Sequence, residues 1–164
     1  MFELNTDTSS SKSETYALLL QQAEALLHGE RDRIANAANL ASLIWHSLPG
    51  LNWAGFYLFD GTELVLGPFM GKPACVRIAL GKGVCGTAAS TRTTQVVEDV
   101  HAFPGHIACD AASNSEIVVP LVRDGALLGV LDLDSPQPGR FDAEDQSALE
   151  QIAALWVQSL GRLD

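Results

Sequence analysis

Apolar residues recur at helical spacing near both ends of the chain. The first ten residues are polar, and we expect residues 1–10 to be a loose tail. Ser11 and Glu14 then have the spacing of a capping box, which predicts the start of a helix, and Asp142 is suited to cap a last helix. The apolar positions that predict three helices are Leu19, Leu20, Ala23, Leu26 and Leu27; Ile34, Ala38, Ala41, Ile44, Trp45 and Leu48; and Leu149, Ile152, Ala153, Trp156 and Leu160.

Between these helices the pattern changes to strands joined by Asp-Gly turns. The predicted strands are residues 53–59 and 63–66, then 116–122 and 127–133. Residues 67–115 are rich in Gly and Pro, and we interpret them as a long irregular insert, which is uncommon unless it is functional. Sequential hairpins imply an antiparallel sheet, and helices at both chain ends would cover one face of it. The sequence therefore predicts one α+β domain over residues 11–164.

Composition and charge narrow the class of protein. The apolar fraction of 47% predicts a packed globule, and the net charge of −10 makes nucleic acid an unfavourable partner. No apolar run reaches the ~18 residues of a membrane span, and the N-terminus lacks the features of a secretory signal. Three Cys without an export signal indicate a reducing compartment, so we expect a cytoplasmic protein.

All three thiols fall in the irregular insert, together with two of the four His. Small buried hydrophobes are the ordinary role of free Cys, but three in one such stretch favour a chemical role. Metal binding lacks the usual zinc spacing, which leaves thiol redox chemistry as the favoured interpretation. For thiol redox chemistry, His106 would supply an electropositive setting for a reactive thiolate, and Cys75 or Cys85 would supply a second thiol. The metal candidates weighed were Cys75, Cys85, His101, His106 and Cys109.

Three acids lie at the ends of otherwise apolar strands. Alternation along a strand places Asp132 and Asp134 on the same face, and Glu116 begins the neighbouring predicted strand. Facing water is the ordinary role of such acids, but strongly apolar flanks put these beside the core. A carboxyl group there can have a raised pKa and hold a proton. Trp53, at the start of the first strand, says little by itself.

Six motifs in the sequence form a recognisable set. They are Asn52-Trp53-Ala54-Gly55-Phe56-Tyr57, Gly71-Lys72-Pro73-Ala74-Cys75, Gly81-Lys82-Gly83-Val84-Cys85-Gly86, Pro104-Gly105-His106-Ile107-Ala108-Cys109-Asp110, Ser113-Asn114-Ser115-Glu116-Ile117 and Leu131-Asp132-Leu133-Asp134-Ser135-Pro136. Taken together they resemble the free methionine-(R)-sulfoxide reductases, a catalytic branch of the GAF-domain superfamily. The likeness runs from the first helix to the last, and the block around Cys109 is its most specific part.

The resemblance implies a role for each candidate residue in a GAF-like antiparallel sheet. Cys109 matches the catalytic cysteine, Cys75 the resolving cysteine that forms a disulfide with it, and Cys85 an auxiliary thiol. Acids of the substrate pocket are matched by Glu116, Asp132 and Asp134. Trp53 matches the residue that faces the sulfoxide methyl group.

The implied activity is reduction of free L-methionine (R)-S-oxide by thiolate attack, without a metal or other cofactor. Glu116 or Asp134 would protonate the sulfoxide oxygen. A thioredoxin-type dithiol would recycle the disulfide, and a homodimer is one option for the assembly. The alternatives are a non-enzymatic GAF module that binds a small ligand or senses redox state, and a structural zinc domain.

Overall fold

The computed structural model describes residues 2–4, 10–107 and 109–161 of the 164-residue chain. Its strands are β1 Trp53–Phe59, β2 Glu63–Gly71, β3 Arg77–Ala79, β4 Gln95–Val97, β5 Ser115–Arg123 and β6 Ala126–Ser135. They form one antiparallel six-stranded sheet in the order β3-β2-β1-β6-β5-β4. The two predicted hairpins, β1–β2 and β5–β6, are therefore confirmed, and they join where β1 pairs with β6.

Three helices cover one face of this sheet, as the sequence predicted. They are α1 Lys12–Leu27, α2 Arg33–Ser47 and α4 Ala143–Ser159. Their apolar side chains pack on the inward residues of β1, β5 and β6, where Phe56 and Trp156 meet at 5.6 Å between ring centroids. Burial of these side chains is the main source of stability for the fold.

The opposite face carries one short helix, α3 Gly83–Thr91, which the sequence analysis did not predict. The interpretation of residues 67–115 as irregular was therefore wrong. β2 extends to Gly71, and the stretch also contains β3, α3, β4 and a 3₁₀ turn at Val100–Ala102. α3 is built of small residues and Gly86 allows it to pack closely, because a Cβ there would lie 2.5 Å from the carbonyl oxygen of Ala79.

Both predicted helix caps are present. The Ser11 side chain accepts a hydrogen bond from the Glu14 amide, and Asp142 and Asp145 form a reciprocal capping box at the start of α4. The predicted face of α2 was wrong at its first turn, since Ile34 and Ala38 are exposed and the helix buries the neighbouring positions instead.

A cluster of polar side chains ties α1 to the start of α4, and we call it the Asp145 network. Asp145 is completely buried, and its carboxylate accepts hydrogen bonds from Lys12 Nζ at 2.6 Å and Arg140 Nη1 at 3.2 Å. The Tyr16 hydroxyl and the Asp142 amide also donate to it. Every oxygen of this buried carboxylate is therefore paired.

Most of the predicted tail, residue 1 and residues 5–9, lies outside the described residues. The division of the chain into a tail and a single domain stays a prediction. No helix among the described residues is long and apolar enough to cross a membrane.

Candidate active site

Three adjacent strands place the predicted site residues in a row on the α3 face of the sheet. Trp53 of β1 lies opposite Asp134 of β6, and Asp134 lies opposite Glu116 of β5. Asp132 is two residues before Asp134 and points the same way, as strand alternation predicted. We call Glu116, Asp132 and Asp134 the carboxyl cluster.

Cys85, in the first turn of α3, packs directly over the carboxyl cluster. Its thiol donates to Glu116 Oε1 at an S–O distance of 3.8 Å. Cys85, Glu116 and Asp132 are all buried, with 5%, 7% and 5% of their surfaces exposed. No Lys or Arg within the described ranges forms an ion pair with the cluster.

Burial without a neighbouring cation raises the pKa values of the three carboxyl groups. Desolvation raises the pKa values of Glu116 and Asp134 well above the ordinary range, and the negative charge of Asp132 raises them further. Desolvation also raises the pKa of Asp132 to about 6, opposed by hydrogen bonds from Glu116 and Cys85. The expectation of raised carboxyl pKa values is confirmed in direction for all three acids.

The same physics acts on the Cys85 thiol. Burial, followed by the charges of Asp132 and Glu116, raises its pKa well above the ordinary value. A thiol that holds its proton is a poor nucleophile. Cys85 is therefore not activated for nucleophilic attack in this arrangement.

Cys75 and Cys109 are joined by a disulfide, with their Cα atoms 5.6 Å apart. The pairing implied by the family resemblance is confirmed, although 34 positions separate the two residues in sequence. Both cysteines are partly exposed, in contrast to Cys85. The disulfide is thus within reach of a reductant in solution.

Residues of and beside β1 hold the two cysteine-bearing loops in place. The Tyr57 hydroxyl donates to the Cys75 carbonyl at 2.9 Å, and Trp53 Nε1 donates to the Lys72 carbonyl at 3.2 Å. On the other loop, the Asn52 side chain donates to Asp110 Oδ2 at 3.0 Å. β1 and the residue before it therefore position both ends of the disulfide.

An aromatic wall completes the site. The Trp53 ring stacks on Phe69 at 5.2 Å and on Tyr57 at 5.7 Å between centroids. Gly55 makes the first contact possible, because a Cβ there would meet the Phe69 Cβ at 2.4 Å. Trp53 thus presents a fixed apolar surface beside Asp134.

These groups enclose a cavity of about 40 Å³, enough for only a few water molecules. The carboxyl cluster and Cys85 form its floor, Trp53 and Tyr57 one wall, and the segment with His106 and Cys109 its rim. Six of the seven predicted site residues line it, and Cys75 is attached through the disulfide.

The expected role of His106 is not supported. His106 lines the cavity, but partial burial and the nearby His101 lower its pKa, which favours the neutral ring. It therefore does not supply the electropositive setting that the sequence suggested. Two of the five metal candidates weighed from the sequence, Cys75 and Cys109, are bonded to each other.

Sequence reasoning missed three kinds of contributor. Tyr57 shares the Trp53 face of β1 by simple alternation, so strand periodicity could have identified it. Asn52 and Asp110 were quoted in motifs, but only their contact shows what they hold. α3 carried no sequence signal beyond a glycine-rich stretch.

Comparison with known proteins agrees with this geometry. The family model described as "GAF domain" matches residues 34–159, and together with the fold it makes the chain a GAF-domain protein. The chain is 52% identical over 154 residues to the free methionine-R-sulfoxide reductase of Escherichia coli (strain K12), covering 94% of this chain and 93% of that protein. It belongs to the family of free methionine-R-sulfoxide reductases.

Two further similarities extend over most of the chain. One is Protein YtsP of Bacillus subtilis (strain 168), 55% identical over 94% of this chain and 96% of that protein. The other is the X-ray structure of free methionine-R-sulfoxide reductase from Neisseria meningitidis in complex with its substrate. That structure has a TM-score of 0.93 and 43% identity, covering 97% of this chain and 95% of that one.

Proposed function

We propose that this chain reduces free L-methionine (R)-S-oxide to L-methionine. The observation that carries the proposal is a disulfide-forming cysteine pair at the rim of a cavity whose floor holds two proton-retaining carboxyl groups, Glu116 and Asp134. Thiols reduce sulfoxides, and the oxygen must be protonated as it is transferred. The site combines both requirements.

In the first step, the Cys109 thiolate attacks the sulfoxide sulfur. Glu116 or Asp134 donates a proton to the oxygen, which leaves sulfur and ends on Cys109 as a sulfenic acid. Methionine is released with two more electrons than the sulfoxide had. The raised pKa values of these acids support the role, because an ordinary surface carboxyl group holds no proton at neutral pH.

In the second step, the Cys75 thiol displaces water from the sulfenic acid and forms the disulfide seen here. A dithiol then reduces that disulfide by exchange and restores both thiols. We propose a thioredoxin-type protein as this reductant and the cytoplasm as its setting. Cys85 has an auxiliary part, since its burial keeps it protonated.

Recognition of a free amino acid follows from the charges around the cavity. The substrate ammonium group would lie against the carboxyl cluster, where Asp132 Oδ1 and Asp134 Oδ1 are buried without a hydrogen-bond partner. α3 begins at the cavity without a side-chain cap, so its first amide N–H groups can donate hydrogen bonds to the substrate carboxylate. The Trp53 ring would face the sulfoxide methyl group.

The described cavity is too small for methionine sulfoxide, so the disulfide form is the state after turnover. Reduction must free the Cys109 segment and enlarge the cavity before substrate binds. A homodimer is our hypothesis for the assembly, and light scattering of the purified protein tests it.

A paired assay tests the proposal. Purified enzyme with a dithiol should release methionine from the free (R)-sulfoxide and leave the (S) epimer unreacted. An N-acetylated, amidated (R)-sulfoxide should also be unreactive, because it lacks the ammonium group. Turnover of the blocked compound would contradict the ammonium site, and turnover of the (S) epimer would contradict the assigned stereochemistry.

A further inference from the structure

Cys85 is buried beside acids that the proposed chemistry uses, although its own thiol is not needed for attack or resolution. In the disulfide form it is also the free thiol of the three. Its sulfur and one oxygen each from Glu116 and Asp132 all lie within 4.8 Å of one another. A soft sulfur and two hard oxygens around one point are a ligand set for a transition metal.

The separation of the sulfur and the Glu116 oxygen is close to that in a zinc site. A tetrahedral ion with its sulfur ligand at ~2.3 Å and its oxygen ligand at ~2.1 Å separates those two ligands by ~3.6 Å. The distance from Cys85 Sγ to Glu116 Oε1 is 3.8 Å without any ion. A side-chain shift of a few tenths of an ångström would therefore bring this pair to zinc geometry, and the Asp132 oxygen lies within 4.8 Å of both atoms.

A second observation, from hydrogen bonding and not from distance, points to a cation at Asp132. Asp132 is 5% exposed, lines the cavity, and its Oδ1 has no hydrogen-bond partner. Buried carboxylates are normally paired with cations or coordinate metals. The described residues give Asp145 two such cations and give Asp132 none.

The cavity offers a path and a fourth ligand position. Its lining runs from the rim residues Lys82 and Ile107 down to the three ligand residues. Its volume of about 40 Å³ accommodates an ion with a bound water. Three protein ligands with an open fourth position are a common zinc arrangement.

We propose that Cys85, Glu116 and Asp132 form a zinc site that blocks the substrate cavity when it is filled. Binding is an exchange of protons for the ion: Cys85 and Glu116 release theirs to solvent, and no electrons move. Zinc is preferred over magnesium or calcium because of the thiolate. The binding claim is independent of the proposed function, whereas the blocking claim rests on it.

The disulfide form provides the decisive binding test, because Cys75 and Cys109 cannot coordinate a metal there. Chelator-washed, oxidised protein is titrated with Cd²⁺ and read in the near ultraviolet, where cadmium–thiolate bonds absorb. Zn²⁺ is then used to displace the cadmium. We expect one equivalent of cadmium with a thiolate band, displaced by zinc.

Three variants show which side chains bind the ion. Cys85→Ser should abolish the band, and Asp132→Asn should weaken binding at least tenfold. Asp110→Asn removes a carboxylate at the rim of the same cavity but outside the ligand set, so its band should match that of the wild type. Absence of the band in the oxidised wild type, or its survival in Cys85→Ser, would overturn the site.

The blocking claim is tested by single turnover of pre-reduced enzyme after removal of the dithiol, since dithiols chelate zinc. Each protein's rate with zinc is divided by its own rate without zinc. Cys85→Ser should need at least tenfold more zinc for half inhibition than the wild type does. Equal sensitivity would mean that zinc acts through Cys75 and Cys109 and would overturn the blocking role. No methionine release even without zinc would instead contradict the proposed function.

Discussion

Two groups of buried carboxyl side chains lie on opposite sides of the same sheet. On the helical side, Asp145 is completely buried and is paired with Lys12, Arg140, Tyr16 and a backbone amide. On the α3 side, the carboxyl cluster is buried beside a thiol and an aromatic wall. There, Asp132 Oδ1 and Asp134 Oδ1 have no partner.

The difference separates a structural use of buried charge from a chemical one. Removing one partner from a paired buried ion costs ~3–5 kcal/mol, because the remaining charge is left uncompensated. An unpaired cluster contributes no such stability and holds protons instead. Asp145 is therefore placed among cationic partners, whereas two of the carboxyl groups beside the cavity each keep one unpaired oxygen.

The largest effect should come from Cys109→Ser on the α3 side. We expect turnover to be abolished, because a serine hydroxyl is not ionised at neutral pH and attacks sulfur poorly. Thermal unfolding of reduced protein should be nearly unchanged, since the side chain lies at the rim of the cavity. Methionine release by this variant would transfer the nucleophilic role to another thiol.

The next largest loss of activity is expected for Glu116→Gln and Asp134→Asn. In the proposed mechanism each variant removes a positioned proton donor, and loss of such a group lowers kcat/KM by more than ~100-fold. Both proteins should fold with an unfolding temperature at or above that of the wild type. A large loss of stability with kcat/KM preserved in the folded fraction would contradict the division of roles.

Asp145→Asn should instead lose stability and keep most of its activity. Loss of the carboxylate leaves Lys12 and Arg140 without their buried partner, so the free energy of unfolding should fall by ~3–5 kcal/mol. The kcat/KM of the folded protein should stay within a few-fold of wild type. Asp132→Asn is the matched control, and urea unfolding of both variants at one pH measures the difference.

The contributions of the two regions to the free energy of unfolding should change with pH in opposite directions. Asp132 has a folded pKa of about 6 against an ordinary 3.8, so the stability that its protonated form contributes is present below the lower value. It is lost as pH rises through about 6, by at most ~1.4 kcal/mol per pH unit. The backbone amide of Asp145 and the Lys12 side chain lower the pKa of Asp142, so its contribution is lost in the opposite direction, as pH falls.

Urea unfolding at several pH values between 4 and 7 measures this slope. Asp132→Asn should make the loss of stability with rising pH shallower than in the wild type, and the remainder comes from Glu116 and Asp134, whose pKa values are also raised. An identical slope in the two proteins would mean that Asp132 titrates normally. Turnover should also decline on the alkaline side, because the proton donor is then ionised.

The sequence predicted the face of each strand better than the contacts between distant segments. Asp132 and Asp134 share a face by alternation alone, so their place beside Glu116 could be anticipated. The Asp145 network could not, because its partners on α1 lie about 130 positions away and no local pattern joins them. α3 was missed because its small residues and glycines look like a loop until their close packing on β3 is seen.

The wrong prediction of the buried face of α2 has a related cause. Periodicity identifies a helix, but Ile34 lies beyond the reach of the core and stays 46% exposed, while Asn36 is buried through hydrogen bonds to Glu30 and Ser159. The disulfide pairing came from the family resemblance, since three thiols allow three pairings and spacing does not choose among them.

The small cavity beneath the Cys75–Cys109 bond also fixes the order of events in steady state. In the proposed mechanism, methionine sulfoxide cannot enter until the bond is reduced, and the reductant has no disulfide to act on until methionine has formed. The two substrates therefore take turns on the enzyme and never form a ternary complex. Double-reciprocal plots of rate against one substrate, at several fixed levels of the other, should be parallel lines, the kinetic pattern of a ping-pong mechanism.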